Sequence, residues 1–307
     1  MVHIKDKNIQ QNFGTVVTIG NFDGVHVGHQ QLVKTTVCYA QKNALRSLVF
    51  SFDPHPKTVL SGQLLEQIFV PLEKARVLTE MGVDIFVQYP FDINFSKYSF
   101  EQFFEKILVD QLKCAAIVLG ENSRLGSGRS GDITQIKQTA ASHGITVFVK
   151  ELLKEKNGAN ISSTNIRQAL FDGDIKKANT MLGRNYFLKG TVETGDRRGS
   201  KIGFPTANIK AQKEKILPKN GVYVTKTTLP NGITHPSVTN IGTNPTFQKQ
   251  DGVIIETHIL DFDDNIYNQT IEVEFIERIR GEKKFLSIEE LIAQIKTDAQ
   301  YARGSLI

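Results

Sequence analysis

The chain has 307 residues, 40% of them hydrophobic and 22% charged, with a formal net charge of +5. That composition belongs to an ordinary globular protein with room for one large core, and two suit the length better. It excludes a membrane-spanning segment, since no apolar run approaches the needed length, and Met1-Val-His-Ile-Lys-Asp lacks the apolar core of a signal peptide. The expected compartment is therefore the cytoplasm. The two cysteines lie far apart, which fits reduced thiols and leaves the acceptor pattern Asn160-Ile-Ser162 without meaning. The modest, dispersed positive charge favours anionic ligands such as ATP; neither a nucleic-acid nor a membrane partner is expected.

In chain order, the first informative stretch is Val16 to His29. The apolar run at 16–19 suits a buried strand, the glycines of Gly20-Asn-Phe-Asp-Gly24 permit a tight turn, and a helical pattern follows from His29. Unpaired N–H groups and the positive dipole end at a helix start form a site for phosphate, and glycines let it approach the backbone. His26 and His29 would flank such a phosphate. Two other readings stay open for the pair: a metal site, which would need further ligands that Cys38 and Cys114 are badly spaced to supply, and a purely structural role. Neither a Walker loop nor a zinc-protease helix is present.

From 15 to 150, strand patterns at 15–19, 47–52, 83–88, 115–119 and 145–150 alternate with helical ones, the signature of a parallel α/β sheet. Val33, Val37 and Ala40 fall at helical spacing. A later helix opens with Pro71 and closes at Gly82, and another starts at the capping box Ser99-Phe-Glu-Gln102. The polar loops after the first, second and fourth strands should converge on one crevice at the carboxyl end of the sheet. Two motifs in those loops have plainer readings. Gly126-Ser-Gly-Arg-Ser-Gly131 fits the dinucleotide fingerprint, but it lies too far beyond its strand and too late in the sheet to serve as one. Asp53-Pro-His-Pro56 reads equally well as a rigid turn.

Hydroxyl residues in Ile161-Ser-Ser-Thr-Asn-Ile-Arg167 precede an apolar-periodic segment and serve as helix caps by default. Three hydroxyls and an arginine exceed that need and could clamp the remote phosphates of a nucleotide. Near 185 the texture turns to strands, at 187–195, 221–229, 238–242, 253–262 and 270–279, with turns at Gly195-Asp196, Asn220-Gly221, Asn231-Gly232 and Asp251-Gly252. This reads as a small β-barrel or sandwich. A terminal helix capped by Ser287 with Glu290 follows, running through Leu291, Ile295 and Tyr301. In the apolar strand at 253–262, alternation puts Glu256 and His258 on one face and Thr257 on the other. An acid there is either a solvent-facing edge residue or a carboxylate at a ligand mouth.

Taken together, the motifs make the chain resemble the bacterial two-domain flavin enzymes that join FMN adenylyltransferase (FAD synthetase) to riboflavin kinase. In the first half the likeness rests on Gly20-Asn-Phe-Asp-Gly-Val-His-Val-Gly-His29, Phe52-Asp-Pro-His-Pro56, Gly120-Glu-Asn122, Gly131-Asp132 and Ile161 to Arg167. In the second it rests on Gly183-Arg184, Gly190, Gly195, Arg198-Gly199, Ile202-Gly-Phe-Pro-Thr-Ala-Asn208, Asn244-Pro-Thr-Phe247, Glu256 to Phe262 and Arg280-Gly-Glu-Lys-Lys-Phe285. The chain departs from the family pattern at Ser123 and Leu125, where similar proteins usually carry phenylalanines that would pack beside a flat ligand.

The resemblance implies an open parallel sheet of the nucleotidylyltransferase-like Rossmann type over 1–185, which adenylylates FMN, and a small β-barrel with a terminal helix over 186–307, which phosphorylates riboflavin. In the adenylyltransferase, ATP is expected at Gly20, Phe22, Asp23, Gly28 and Asn122, and at Ser162, Ser163 and Thr164, while His26, His29 and Arg167 position the reacting phosphates and neutralise their charge. In the kinase, Glu256 is expected to take the proton of the attacking hydroxyl. Gly195, Arg198, Gly203, Pro205 and Arg280 are expected to contact ATP or flavin. Thr206 and Asn208, two apart and facing one way if extended, would hold magnesium on the phosphates. A flavin-responsive regulatory protein that binds RNA or protein would not need Thr206, Asn208 and Glu256. A cytidylyl- or aminoacyl-activating enzyme would leave the C-terminal motifs unexplained.

Overall fold

Strands alternating with helices build the first compact unit, Met1–Ser163, and short antiparallel strands dominate the second, Thr164–Ile307, in the computed structural model, which describes residues 1–151, 153–154, 158, 160–195, 199, 202–243 and 253–306. In the first unit the order is β1 (Val2–Ile4), β2 (Thr15–Ile19), α1 (Val27–Lys42), β3 (Arg46–Asp53), α2 (Pro56–Ser61), α3 (Pro71–Glu80) and β4 (Ile85–Pro90). Then come α4 (Phe100–Phe103), running on as a π-helix over Phe104–Gln111, β5 (Cys114–Gly120), α5 (Ile133–Ser142) and β6 (Thr146–Lys150). The strands lie in the order β1-β4-β3-β2-β5-β6, every neighbouring pair parallel.

All five residues of β2 are buried. Both faces of a parallel sheet are covered, so such a strand reads as a continuous apolar run rather than an alternation. Val33, Val37 and Ala40 are buried on α1 at the expected spacing, together with Thr36. Ser99 and Gln102 form the expected capping box, with Ser99 Oγ accepting from Gln102 N at 3.2 Å and Gln102 Oε1 accepting from Ser99 N at 3.0 Å. The edge strand β1 escapes sequence reading because three residues carry no period. Asp53-Pro-His-Pro56 turns out to be a turn that leads into a helix: the Asp53–Pro54 peptide is cis, and Pro56 opens α2 with His55 Nδ1 accepting from Lys57 N at 3.0 Å.

The second unit takes α6 (Ser163–Asp172) from its second residue onward and continues with α7 (Ile175–Leu182), β7 (Tyr186–Glu193), β8 (Ala207–Ala211) and β9 (Gly221–Thr228). It ends with β10 (Thr234–Thr243), β11 (Val253–Ile259), β12 (Thr270–Arg280) and α8 (Ile288–Leu306). Of the two architectures open from sequence, the strands form the barrel, closed in the order β10-β11-β8-β7-β12-β9 with antiparallel pairing throughout. Strand β8 was hidden within what reads as a polar turn.

The interior of the barrel carries hydroxyls as well as hydrocarbon. Thr225, Thr227, Ser237, Thr239 and Thr257 are fully buried and satisfy one another, with Thr239 Oγ1 2.8 Å from Thr225 and 2.9 Å from Thr257. Outside, Ala302 of α8 packs with Val224 and Leu260, and Ser287 Oγ accepts from Glu290 N at 3.2 Å ahead of that helix. Helix α7 packs on β7 and β12: Asn179 donates to Phe275 O at 2.8 Å and accepts from Tyr186 N at 2.7 Å. The compact units accordingly divide earlier than the change in sequence texture at 185. The motif Asn244 to Phe247 and the turn Asp251-Gly252 lie outside the described residues, as do Asp196 and Arg198.

Candidate active sites

In the first unit, β2 is flanked by β3 on one side and β5 on the other, and the chain builds outward in both directions. The strand order reverses between β2 and β5, and the crevice beyond their carboxyl ends is where open α/β sheets bind ligands. A cleft of about 630 Å³ opens there. The three loops singled out from sequence reach its wall through Gly20, His26, Gly28 and His29, through Phe52 and Pro56, and through Asn122. Ser162 and Ser163, at the start of α6, line it as well.

The histidines are fixed by local geometry. His26 is extended and caps α1, its Nδ1 accepting from His29 N at 3.4 Å, and the two rings stack with centroids 3.6 Å apart. Because Nδ1 accepts, the proton of a neutral His26 sits on Nε2. Burial pulls the His26 pKa down to about 4 against the opposing pull of Asp23, and burial, then His26 and Lys74, hold His29 well below its ordinary value. Near pH 7 both imidazoles of the ligand-free protein are neutral, so before an anion arrives they offer N–H donors rather than resident positive charge. His29 Nδ1 and Asn21 Oδ1 are buried without a hydrogen-bond partner among the described residues. Gly28 leaves room for this pair: a Cβ there would lie 3.2 Å from His26 Cε1, a tight contact.

Two expected ATP contacts have other surroundings. Phe22 is fully buried in the left-handed region at φ 48°, its ring 5.0 Å from His29, while its edge also reaches the cleft wall. The Asp23 carboxylate turns inward to accept from Ile68 N at 2.9 Å and Phe69 N at 3.1 Å, and its carbonyl accepts from Ser163 Oγ at 2.9 Å. Asp23 thus braces the turn and ties it to the start of α6. Thr164 and Arg167 follow on α6 and fall in the second compact unit.

Sequence reasoning missed Lys74. Its side chain is buried beneath the turn, with Nζ donating to Asn21 O at 2.7 Å, and Ser51 Oγ reaches the same carbonyl at 3.0 Å. Burial lowers the Lys74 pKa while Asp23 and Asp53 raise it. A charged residue on the buried face of α3 has no periodic signature that marks it as functional. Arg124, Arg129 and Lys150 also line the cleft and bring cationic side chains to it; the loop discounted as a dinucleotide fingerprint supplies Gly126 to Arg129.

The cleft also has an aromatic part of its wall, Phe52, Phe91, Phe95, Tyr98 and Phe103, with Phe52–Phe91 and Phe95–Tyr98 centroids at 5.4 and 5.0 Å. These aromatic side chains come from the end of β3, the segment after β4 and α4. Ser123 and Leu125 lie on the wall too, but Leu125 is tucked into the core and bridged to Gly131 by backbone hydrogen bonds of 3.0 and 2.9 Å.

In the second unit, Glu256 of β11 stands opposite Asn208 of β8 and opposite Asn240 of β10. Their neighbours Ala207, Thr257, Thr239, Ile209 and Ile255 point into the barrel, which places Glu256, Asn208 and Asn240, all half-buried, on its outer face. Thr206 is half-buried just ahead of β8. Gly195 lies directly over Asn208, where a Cβ would come within 2.2 Å of Nδ2. Thr206 and Asn208 offer hard, neutral oxygens beside a carboxylate, a donor set that fits a divalent cation sharing its coordination with phosphate and water.

Pro205 O is 2.8 Å from His258 Nδ1, and Gly203, at φ +87°, is an exposed joint before it. Arg280 is engaged elsewhere: its Nε and Nη2 donate to Asp298 of α8 at 3.1 and 2.7 Å, and its guanidinium lies 5.8 Å from the Phe285 ring centroid.

A family model described as FAD synthetase matches residues 8–165, and one described as riboflavin kinase matches 182–306. The bifunctional riboflavin kinase/FMN adenylyltransferase of Listeria monocytogenes is 39% identical, covering 94% of this chain and 91% of its own length. The proteins of the same name from Bacillus subtilis and Escherichia coli K12 are each 35% identical and cover 94% of this chain, with 91% and 92% of their own lengths. A crystal structure named a macrolide-efflux protein from Streptococcus pneumoniae superposes with a TM-score of 0.90 at 32% identity, covering 99% of each chain. Among the described residues of this chain, no helix is long and apolar enough to cross a membrane.

Proposed function

The chain belongs to the family of bifunctional riboflavin kinases/FMN adenylyltransferases, and from that membership we propose that it converts riboflavin to FMN on the barrel and FMN to FAD in the cleft of the α/β unit, using ATP in both steps. The observation that carries the reading is the cleft at the strand-order reversal, whose wall combines glycines and histidines suited to a triphosphate with aromatic rings suited to a flavin.

In the cleft, an FMN phosphate oxygen attacks the α-phosphorus of ATP and pyrophosphate leaves. The nucleophile is already an anion, so no general base is required. His26 Nε2–H and the α1 amides hold the reacting phosphates in line, and Arg167 supplies positive charge. Gly20, Phe22, Gly28 and Asn122 shape the nucleotide site, Ser162 and Ser163 line it as well, and Asp23 keeps the turn in place.

On the barrel, the ribityl 5′-hydroxyl attacks the γ-phosphorus of ATP and ADP leaves. Glu256 accepts the hydroxyl proton. A divalent metal accompanies ATP in such transfers, and magnesium is the ion we propose; Thr206 and Asn208 would hold it, and when bound it neutralises phosphate charge. Gly195, beside Asn208, and Gly203 and Pro205, just ahead of Thr206, would contact ATP or flavin, as would Arg198. Arg280, held by Asp298, would act by anchoring the end of β12 against α8. Cys38 and Cys114 are free thiols, which fits a reducing, ATP-rich compartment, the cytoplasm.

Incubating purified protein with riboflavin, ATP and magnesium and separating the flavins by chromatography tests both steps. FMN followed by FAD is the expected outcome. Riboflavin recovered unchanged, together with FMN that is not converted to FAD when supplied directly, would overturn the reading.

A further inference from the structure

The Glu-x-His pattern of β11 has one member, His258, that neither reaction uses. It shares the outer face of the barrel with Glu256, half-buried, two residues along the same strand. Its Nδ1 is 2.8 Å from Pro205 O, and because a carbonyl only accepts, Nδ1 carries the proton and donates it. Its ring also meets Phe204 edge-on, with centroids 5.5 Å apart at 77°. No other hydrogen bond to His258 occurs among the described residues.

What this contact holds is decided by the neighbouring ladder. Strand β8 pairs with β11 only at Ala207–Thr257 and Asn208–Glu256, so Thr206 lies one residue beyond the pairing. Proline has no N–H, which leaves the carbonyl as the one backbone group through which Pro205 can be tethered. Before it, Gly203 is exposed at φ +87° and Phe204 N donates to Gly199 O at 2.9 Å, so the backbone of Pro205 and Thr206 spans the gap between that bond and the ladder.

Resting on the kinase reading above, we propose that His258 is a positioning residue for riboflavin phosphorylation: by donating to Pro205 O and packing on Phe204 it holds the segment carrying Thr206, so that Thr206 and Asn208 face Glu256 as one preformed oxygen site. Groups that orient metal ligands typically change affinity by about tenfold to a hundredfold when removed. Asparagine is the informative replacement, since its side-chain N–H₂ lies close to where histidine carries Nδ1–H, whereas alanine has no donor.

The test uses the full-length protein with His258→Ala and His258→Asn. Hydrogen–deuterium exchange of peptides spanning 203–208, measured without ligand, should speed up in His258→Ala and stay near wild type in His258→Asn. The magnesium concentration for half-maximal riboflavin phosphorylation should rise by about tenfold in His258→Ala and by no more than about twofold in His258→Asn, with FMN adenylylation by the same preparations unchanged. Wild-type magnesium dependence in His258→Ala would overturn the proposal. So would a barrel that melts outright in that variant, because His258 would then be a residue of the fold. Wild-type protein that fails to phosphorylate riboflavin would sink the kinase reading instead, and the exchange comparison would still decide whether His258 holds the segment.

Discussion

Glu256 and Asn208 face each other across the β8–β11 pair, on the outer surface of a barrel whose inner face is sealed at the same level by Ala207 and Thr257. Side chains directly opposite on antiparallel strands start about 5 Å apart at Cβ. If Asn208 holds the metal as proposed, a carboxylate that close can reach a hydroxyl brought in beside the γ-phosphate. The expected consequence is that Glu256→Gln lowers FMN formation by about a hundredfold or more while leaving conversion of FMN to FAD intact. Rates of both steps measured on one preparation check this, and a near-normal kinase rate would remove Glu256 from the role.

The histidine pair gives a complementary prediction for the other unit. Replacing both His26 and His29 with Asn should preserve riboflavin phosphorylation but reduce adenylylation of FMN by about a hundredfold or more, the usual cost of losing a preorganised donor. If the rings only pack and cap, the double variant will melt earlier and adenylylate FMN in proportion to the folded fraction. If they bind a transition metal, elemental analysis of wild-type protein will show it. Melting temperature and both rates on the same variant separate these outcomes.

Much of this arrangement is legible in the sequence because it is local. The strand–turn–helix around Gly20 to His29 announces itself through an apolar run, two glycines and a helical period, and the structure keeps all three. Period two places Glu256 and His258 together on β11 for the same reason. What sequence does not carry is contact between distant segments. Lys74 sits 53 residues from the Asn21 carbonyl it holds, and a lysine on a helix normally signals solvent. Asn240 lies beside Glu256 only because β10 pairs with β11. The aromatic wall of the cleft draws on Phe52, Phe91 and Phe103, which share no motif. Strand β8 was obscured because five residues opening in a Pro-Thr-Ala-Asn turn give too short a period.

Lys74 yields a prediction that sequence alone does not supply. Lys74→Met removes the donor to Asn21 O and leaves the carboxylates of Asp23 and Asp53 without their nearby cation. Removing one partner from such a buried charge cluster costs about 3 kcal/mol, and a turn displaced by even 1 Å costs about a hundredfold in rate. A lower melting transition for the first unit and a loss of FMN adenylylation larger than unfolding explains are expected, with riboflavin phosphorylation unaffected. A variant as stable and active as wild type would show that the ammonium is incidental.

Acid should weaken the first unit in a defined window. Folded His26 titrates at about 4, held down chiefly by burial, whereas unfolded histidine titrates near 6.5. Between these values the unfolded chain binds a proton that the folded one refuses, so stability is complete above about 6.5 and falls as pH drops towards 4, by roughly 3 kcal/mol for this residue. His29 is shifted in the same direction. Urea unfolding followed from pH 7.5 to 4.5 should show this loss in wild type and a flatter profile in His26→Asn. Equal slopes in the two proteins would place the acid sensitivity elsewhere.

The last prediction concerns where the kinase begins. A fragment starting at 186, where the strand-rich texture sets in, keeps every barrel strand but loses α7, and with it the Asn179 bonds to Phe275 O and Tyr186 N and the buried Ala178, Met181 and Leu182. The carbonyl of Phe275 and the amide of Tyr186 would then lack these partners, at a cost of about 1 kcal/mol or more each, and the apolar face under α7 would meet water. A fragment of residues 164–307 retains all of this, since α6 and α7 belong to its compact unit. Both fragments are expected to phosphorylate riboflavin, the longer one with the higher melting temperature and the better yield of soluble protein. Circular dichroism melts and FMN formation on the two fragments decide the matter: equal melting temperatures would show that α7 is dispensable, and an unfolded 164–307 would show that the barrel depends on the rest of the chain.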